Sequence, residues 1–271
     1  MNQESRAVIG LVPAAGRANR IGPLPCSKEI YPIGFRRDES GETRPQVASH
    51  HLFQKFRRAG ATTAFVILRD GKWDIPAYLG DGSVVGIELA YLVIPGSIGP
   101  PDTLDRAYSF VANSIIAFGF PDIIFGPDDV FEQLLTRMRE TNADVVLGLY
   151  PSQDVRQTDM IDLDAAGRVR SMVLKPPSTT LRYGWACAAW TPAFTRFMHD
   201  FVKQERGKAA HDSTAYRLID AQGDLPMGAV LKAAVEQGLL VYGVAFPSDT
   251  WLDIGTPKHL VEAIKAGVTL K

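Results

Sequence analysis

After an apolar run, the chain reads Pro13-Ala14-Ala15-Gly16 and then places Arg17, Arg20 and Lys28 within one loop's length. Small side chains leave backbone N–H groups bare, and bare N–H groups facing one way bind anions. Arginine bridges two phosphate oxygens, whereas lysine acts as a point charge. Ala14, Ala15 and Gly16, with these cations, therefore read as a triphosphate cradle. An ordinary strand-to-loop turn with solvated arginines has the same local sequence. The stretch is neither a P-loop nor a dinucleotide fingerprint, because GxxxxGK[ST] and GxGxxG are both absent.

The elements that must position this turn alternate between strand-like and helix-like. "RAVIGLV" (6–12), "TAFVIL" (63–68), "GIELAYLVI" (86–94), "IIAFGF" (115–120) and "DVVLGLY" (144–150) read as strands. "QVASHHLFQKFRRAG" (46–60), "DTLDRAYSFVAN" (102–113) and "DVFEQLLTRMRE" (129–140) read as helices, the last with one apolar stripe. That order predicts an α/β fold, a mainly parallel sheet flanked by helices on both faces. "MIDLDAAGRVRSMVLKP" (160–176) reads as an antiparallel hairpin turning at Asp-Ala-Ala-Gly, a small lid beside the main sheet. "FRRDESGETR" (35–44) reads as a solvated loop. In "WLDIGTPKHLVEAIKAG", Thr256 suits a helix N-cap, Pro257 the first helical position and Gly267 the stop. Asp253 then lies just beyond a strand and just before a helix. No linker divides the chain, so a single domain over 1–271 is expected.

Composition narrows the partners. The 271 residues are 46% hydrophobic and 22% charged, with net charge −1. That balance argues against a broad nucleic-acid surface while leaving room for a cationic pocket. No stretch approaches the roughly 18 apolar residues of a membrane span. Cys26 and Cys187 stand far apart with no metal-ligand spacing, which fits a cytoplasmic protein with reduced thiols. Cys26 lies beside the loop cations, a setting that lowers a thiol pKa, although an incidental thiol is the simpler reading.

Taken in order, these segments resemble the sugar-1-phosphate nucleotidyltransferases, the NDP-sugar pyrophosphorylases. "LVPAAGRANRIGPLPCSKEIYPIG" is similar to their signature turn, with Arg20 and Lys28 at its arginine and lysine. "YLGDGSVVGIELAYLV" (78–93) resembles their Gly-Asp-Gly hairpin and third strand. "DIIFGPDDVFEQLL" (122–135) resembles their metal-binding strand end, "DLDAAGRVRSMVLKPP" (162–177) their sugar lid, and "WLDIGTPKHLVEA" (251–263) their second aspartate motif. The resemblance implies a Rossmann-like, GT-A-like sheet. It implies an enzyme that transfers NMP from an NTP to a sugar-1-phosphate or similar phosphate acceptor and releases pyrophosphate. It further implies Arg20 on the leaving phosphates, Lys28 at the α-phosphate, Lys175 on the acceptor phosphate, and Asp122 with Asp253 sharing Mg²⁺. Asp128 and Asp129 are local rivals of Asp122 that suit a helix start. Relatives commonly self-associate, so a homo-oligomer is expected.

The departures cluster on substrate choice. Ala18 stands where the turn often carries glycine. Asp102 falls where thymidylyl members carry a base-reading glutamine, and a carboxylate only accepts hydrogen bonds, which leaves the base open. Asp159 replaces a glycine of glucose-using members, Leu174 replaces a hydroxyl-binding glutamate, and Ala186 replaces another glycine. Trp185 flanks this region, where it could pack on a ligand or in the core. Asp159, Leu174 and Trp185 are thus the expected acceptor-side residues. The acceptor is left open among sugar phosphates, other phosphates and phosphonates. Two alternatives stand beside the transferase: a non-catalytic nucleotide- or metabolite-binding relative, and a cytidylyltransferase for a non-sugar phosphate or phosphonate. No hexapeptide repeat follows the last helix, so a second acyltransferase activity is not expected.

Overall fold

The computed structural model describes residues 6–18, 20–38, 40–152, 154–211, 224–247 and 251–266. Its strands are β1 (Val8–Ala14), β2 (Pro32–Arg37), β3 (Thr43–Val47), β4 (Thr63–Arg69), β5 (Glu88–Ile94), β6 (Ile115–Gly119), β7 (Ile123–Phe125), β8 (Val145–Pro151), β9 (Met160–Leu163), β10 (Val169–Val173), β11 (Tyr183–Trp190), β12 (Val241–Ala245) and β13 (Trp251–Asp253). Its α-helices are α1 (His50–Arg58), α2 (Asp74–Leu79), α3 (Pro100–Asp105), α4 (Tyr108–Val111), α5 (Val130–Thr141), α6 (Pro192–His211), α7 (Met227–Glu236) and α8 (Pro257–Ala266).

Nine strands make the main sheet. Its centre, β6-β1-β4-β5, is parallel. β11 enters antiparallel against β6 and β8, and β12 runs parallel to β8. Apolar residues fill both faces of the central strands, as buried parallel strands require. Along β1, Leu11 points to one helix layer while Val12 and Ala14 point to the other. Phe53 and Phe56 of α1 and Phe131 and Leu134 of α5 cover the second face. Leu104 of α3, Phe194 of α6 and Leu231 of α7 cover the first. Packing is close where glycine sits: a Cβ on Gly10 of β1 would lie 2.6 Å from a Phe56 ring carbon.

Four sequence expectations change. The expected solvated loop at 35–44 belongs to the β2–β3 hairpin, in which Arg36 pairs with Arg44. Pairing of Thr43–Val47 also delays α1, which starts at His50 rather than residue 46. The helix expected over 102–113 is two short helices, α3 and α4. The β9–β10 hairpin turns at Asp164–Gly167 as expected, but β9 also pairs with β11, so it extends the main sheet rather than standing beside it. Gly267, the expected stop of α8, lies outside the described residues, while Thr256 Oγ1 accepts the His259 N–H at 3.3 Å as an N-cap does.

Two smaller features finish the frame. β7 and β13 form a separate two-stranded antiparallel ladder. Ile21, Ile33, Ile254 and Leu260 form a satellite core that ties the loop after β1 to α8.

Candidate active site

β7 and β13 come from distant parts of the chain, and their register sets Asp253 opposite Ile123. The Ile254 N–H donates to the Asp122 carbonyl at 3.0 Å, so the two aspartates lie side by side on one ladder. Asp122 is only 6% exposed. Its carboxylate makes an ion pair with the Lys28 ammonium. Asp253 Oδ1 accepts the Gly255 N–H at 2.8 Å, and its Oδ2 stands 3.8 Å from the Arg20 guanidinium. The Asp253 carbonyl meets His259 Nδ1 at 2.9 Å, which fixes the end of β13 from the α8 side.

The charges are interlocked. Burial opposes the ionised form of Asp122, but Lys28 overrides it, and the carboxyl is held below its ordinary range. Burial likewise opposes the Lys28 charge, which Asp122 and then Glu29 restore, holding the ammonium above its ordinary range. Asp253 is pushed up, first by burial and then by the negative charge of Asp122. Two neighbouring carboxylates that repel each other, Asp122 buried and Asp253 partly exposed, form a place where a cation is favoured. Among the described residues no third acidic, histidine or cysteine side chain joins them. A donor set of two carboxylates leaves the rest of an ion's shell to water and phosphate oxygens, the arrangement that suits Mg²⁺.

This pair forms part of the wall of a cavity of about 670 Å³ at the carboxyl ends of the central strands. Ala15, Gly16, Arg17 and Arg20 border it after β1, and a Cβ on Gly16 would meet nothing within 4 Å. The turn therefore has open space at Gly16. Ala18 has φ 54°, the left-handed region that favours glycine. Lys175, Asp159 and Trp185 border the opposite side. Lys175 has φ 40°, a conformation most residues avoid.

Three expected positions stand apart from the cavity. Ala14 is buried inside β1, behind the turn. Asp102 is corrected: it is 1% exposed, its carboxylate accepts the Ile98 N–H at 2.8 Å and the Arg206 Nε–H at 2.6 Å, and it fastens the loop after β5 to α6. It does not face a base. Leu174 packs beside Gly228 at the start of α7. The rivals of Asp122 are engaged elsewhere: Asp128 pairs with the buried Lys55 at 2.7 Å, and Asp129, ahead of α5, accepts a hydrogen bond from Gln133 Nε2 at 3.1 Å. His50 and His51 are pushed down to about 4 by burial, and neither borders the cavity. Cys26 is likewise corrected: burial and then Asp74 push its thiol up, not down.

Sequence reasoning missed Glu29, Gly228 and Gly255. Glu29 borders the cavity, is 2% exposed, and pairs with Lys72 at 2.6 Å beneath Lys28. Its place directly after Lys28 was the available signal, but only the short 3₁₀ turn Lys28–Ile30 shows that both point inward. A Cβ on Gly255 would lie 2.9 Å from both Arg20 and Asp253 Oδ1, so the glycine permits their approach.

Residues 14–268 match the family model described as nucleotidyl transferase. The chain is 24% identical over 261 residues to a glucose-1-phosphate thymidylyltransferase of Neisseria gonorrhoeae, covering 94% of this chain and 80% of that protein. It is 23% identical over 260 residues to the low-salt glycan biosynthesis nucleotidyltransferase Agl11 of Haloferax volcanii, covering 94% of this chain and 64% of that protein. Among solved structures, it superposes on one described as a glucose-1-phosphate thymidylyltransferase of Bacillus anthracis in complex with sucrose. The TM-score is 0.77 at 17% identity, with 98% and 97% of the two chains covered. It also superposes on UDP-glucose pyrophosphorylase complexed with UDP-glucose, with a TM-score of 0.72 at 13% identity and 96% and 98% covered. Among the described residues, no helix is long and apolar enough to cross a membrane.

Proposed function

We propose that this chain, which belongs to the nucleotidyl transferase family, transfers a nucleoside monophosphate from an NTP to a sugar-1-phosphate and releases pyrophosphate. The observation that carries this reading is the ladder that sets Asp122 and Asp253 together beside Lys28, in one cavity with Lys175. The matched glucose-1-phosphate thymidylyltransferase supports a sugar phosphate as the acceptor class.

In this reaction an acceptor phosphate oxygen bonds to the α-phosphorus while the bond from that phosphorus to the bridging oxygen of the β-phosphate breaks. Both partners are anions, so the barrier is mostly alignment and repulsion. The bare turn at Ala15 and Gly16 receives phosphate oxygens through backbone N–H groups. Arg20 holds the departing pyrophosphate, and its approach to Asp253 keeps it at the cavity wall. Lys28 stands where charge builds on the α-phosphate; its pairing with Asp122 keeps it protonated. Lys175 receives the acceptor phosphate from the other side of the cavity. Asp122 and Asp253 would hold Mg²⁺, which supplies charge neutralisation and a template for phosphate oxygens when bound. No covalent intermediate on the protein is needed.

Pyrophosphate release across the four common NTPs and a panel of sugar-1-phosphates, with and without Mg²⁺, tests this. Product with at least one pair, dependent on the divalent cation, is expected. Nucleotide binding with no product across the panel would overturn it in favour of a binding role.

A further inference from the structure

On the acceptor side of the cavity, three segments converge on one point. The Trp185 Nε1–H donates to Asp159 Oδ2 at 3.4 Å. A Cβ built on Gly228 would lie 2.1 Å from that same oxygen, 2.7 Å from the Asp159 Cγ and 2.9 Å from Leu174 Cδ2. Asp159, Trp185 and Gly228 all border the cavity that also holds Lys175 and the paired aspartates. The carboxylate thus stands in a gap that exists only because residue 228 has no side chain. Glycine is among the poorest helix formers, yet it occupies the first turn of α7. That choice is explained by the room it makes.

A carboxylate in this wall has a chemical consequence. It accepts hydrogen bonds and donates none. It also repels the phosphate that Lys175 receives, so an acceptor gains here only by bringing a hydrogen-bond donor at the end remote from its phosphate. The indole N–H marks one side of the carboxylate, and Leu174 Cδ2 borders the same gap at Gly228 with carbon.

We infer that Asp159, seated in the gap left by Gly228, selects the acceptor by taking a hydrogen bond from one of its hydroxyl groups, and that Gly228 is the specificity-determining residue that makes this possible. The inference rests on the proposed transfer to a sugar phosphate and names what that site demands of it. An acceptor that lacks that hydroxyl forgoes a hydrogen bond to a charged group, a larger loss than an apolar pocket imposes for a small change of shape.

The test compares a hexose-1-phosphate with its monodeoxy analogues on wild type, Asp159→Ala, Asp159→Asn, Gly228→Ala and the double variant Asp159→Ala/Gly228→Ala. Binding is read by calorimetry and turnover by pyrophosphate release. Wild type should disfavour one deoxy acceptor by about a hundredfold or more. Asp159→Ala and Gly228→Ala should each cut that discrimination to below about tenfold, with Asp159→Asn intermediate and the NTP KM within about twofold throughout. In the Asp159→Ala background, adding Gly228→Ala should change selectivity no further. If Asp159→Ala lowers the melting temperature but leaves discrimination intact, the carboxylate merely supports the start of α7 and the inference fails. Preference for an ammonium-bearing phosphate over every hydroxyl-bearing one would also overturn it. If wild type binds the sugar phosphate without making product, the transfer reading falls, and calorimetry across the deoxy series still decides the inference.

Discussion

The two sides of the cavity are built on different principles. Toward β1, β4 and β5 the sheet is parallel, and the cavity wall is a turn whose small residues expose backbone. Toward β9, β10 and β11 it is antiparallel, and the wall is made of side chains: Asp159, Lys175 and Trp185. A wall of backbone recognises what every nucleotide shares, its phosphates. A wall of side chains recognises what one acceptor has and another lacks. Within the proposed reaction, the first side is therefore general and the second particular.

The largest effect should come from the seam between the two sides. Asp122→Asn and Asp253→Asn are each expected to cut turnover about a hundredfold to a thousandfold while the far-ultraviolet dichroism stays native, since each would weaken the hold on the divalent cation that neutralises phosphate charge in the proposed reaction. Turnover near wild type in either variant would dissolve the seam. Next come the cations on each side. Arg20→Ala should raise the KM for NTP, and Lys175→Ala the KM for the acceptor, each by about tenfold to a hundredfold, the worth of a charge-assisted hydrogen bond. Initial-rate kinetics with each substrate varied would show it, and crossed effects would break the division.

Smaller effects probe the general side alone. Gly10→Ala forces a methyl group against Phe56 and should cost about 1–3 kcal/mol in urea unfolding. Gly16→Ala has open space and should leave stability unchanged while raising the KM for NTP. The smallest change is Ala18→Gly, which relieves a left-handed alanine but loosens the unfolded chain. Its unfolding free energy should move by less than about 1 kcal/mol, and a loss of activity beyond twofold would show that the methyl group itself takes part.

The general side was legible because its signals are local. β1, β4 and β5 announce themselves as apolar runs, and the small-residue turn is contiguous with the first of them. Asp122 and Asp253 were legible as motifs, yet their meeting depends on β7 and β13, a three-residue ladder too short for periodicity to reveal. Asp102 misled because it is polar and lies in the right segment, whereas its position in the first turn of α3 aims it at Ile98 and Arg206. The β2–β3 hairpin was hidden by its charge, since only Ile33 and Val47, both at its base, are buried and the rest of the ribbon carries no apolar face to read. Gly228 left no signal at all: what it permits is visible only when Asp159 and Leu174 are brought to it from elsewhere in the chain.

The β7–β13 ladder has a consequence for how the molecule comes of age. Every strand of the nine-stranded sheet has been made before β13 emerges during synthesis. A nascent chain can therefore own a nearly finished body and still lack half of its acidic grip. In the proposed reaction, competence would then arrive with β13, because a chain that stops short of Trp251 lacks Asp253 and should release no pyrophosphate.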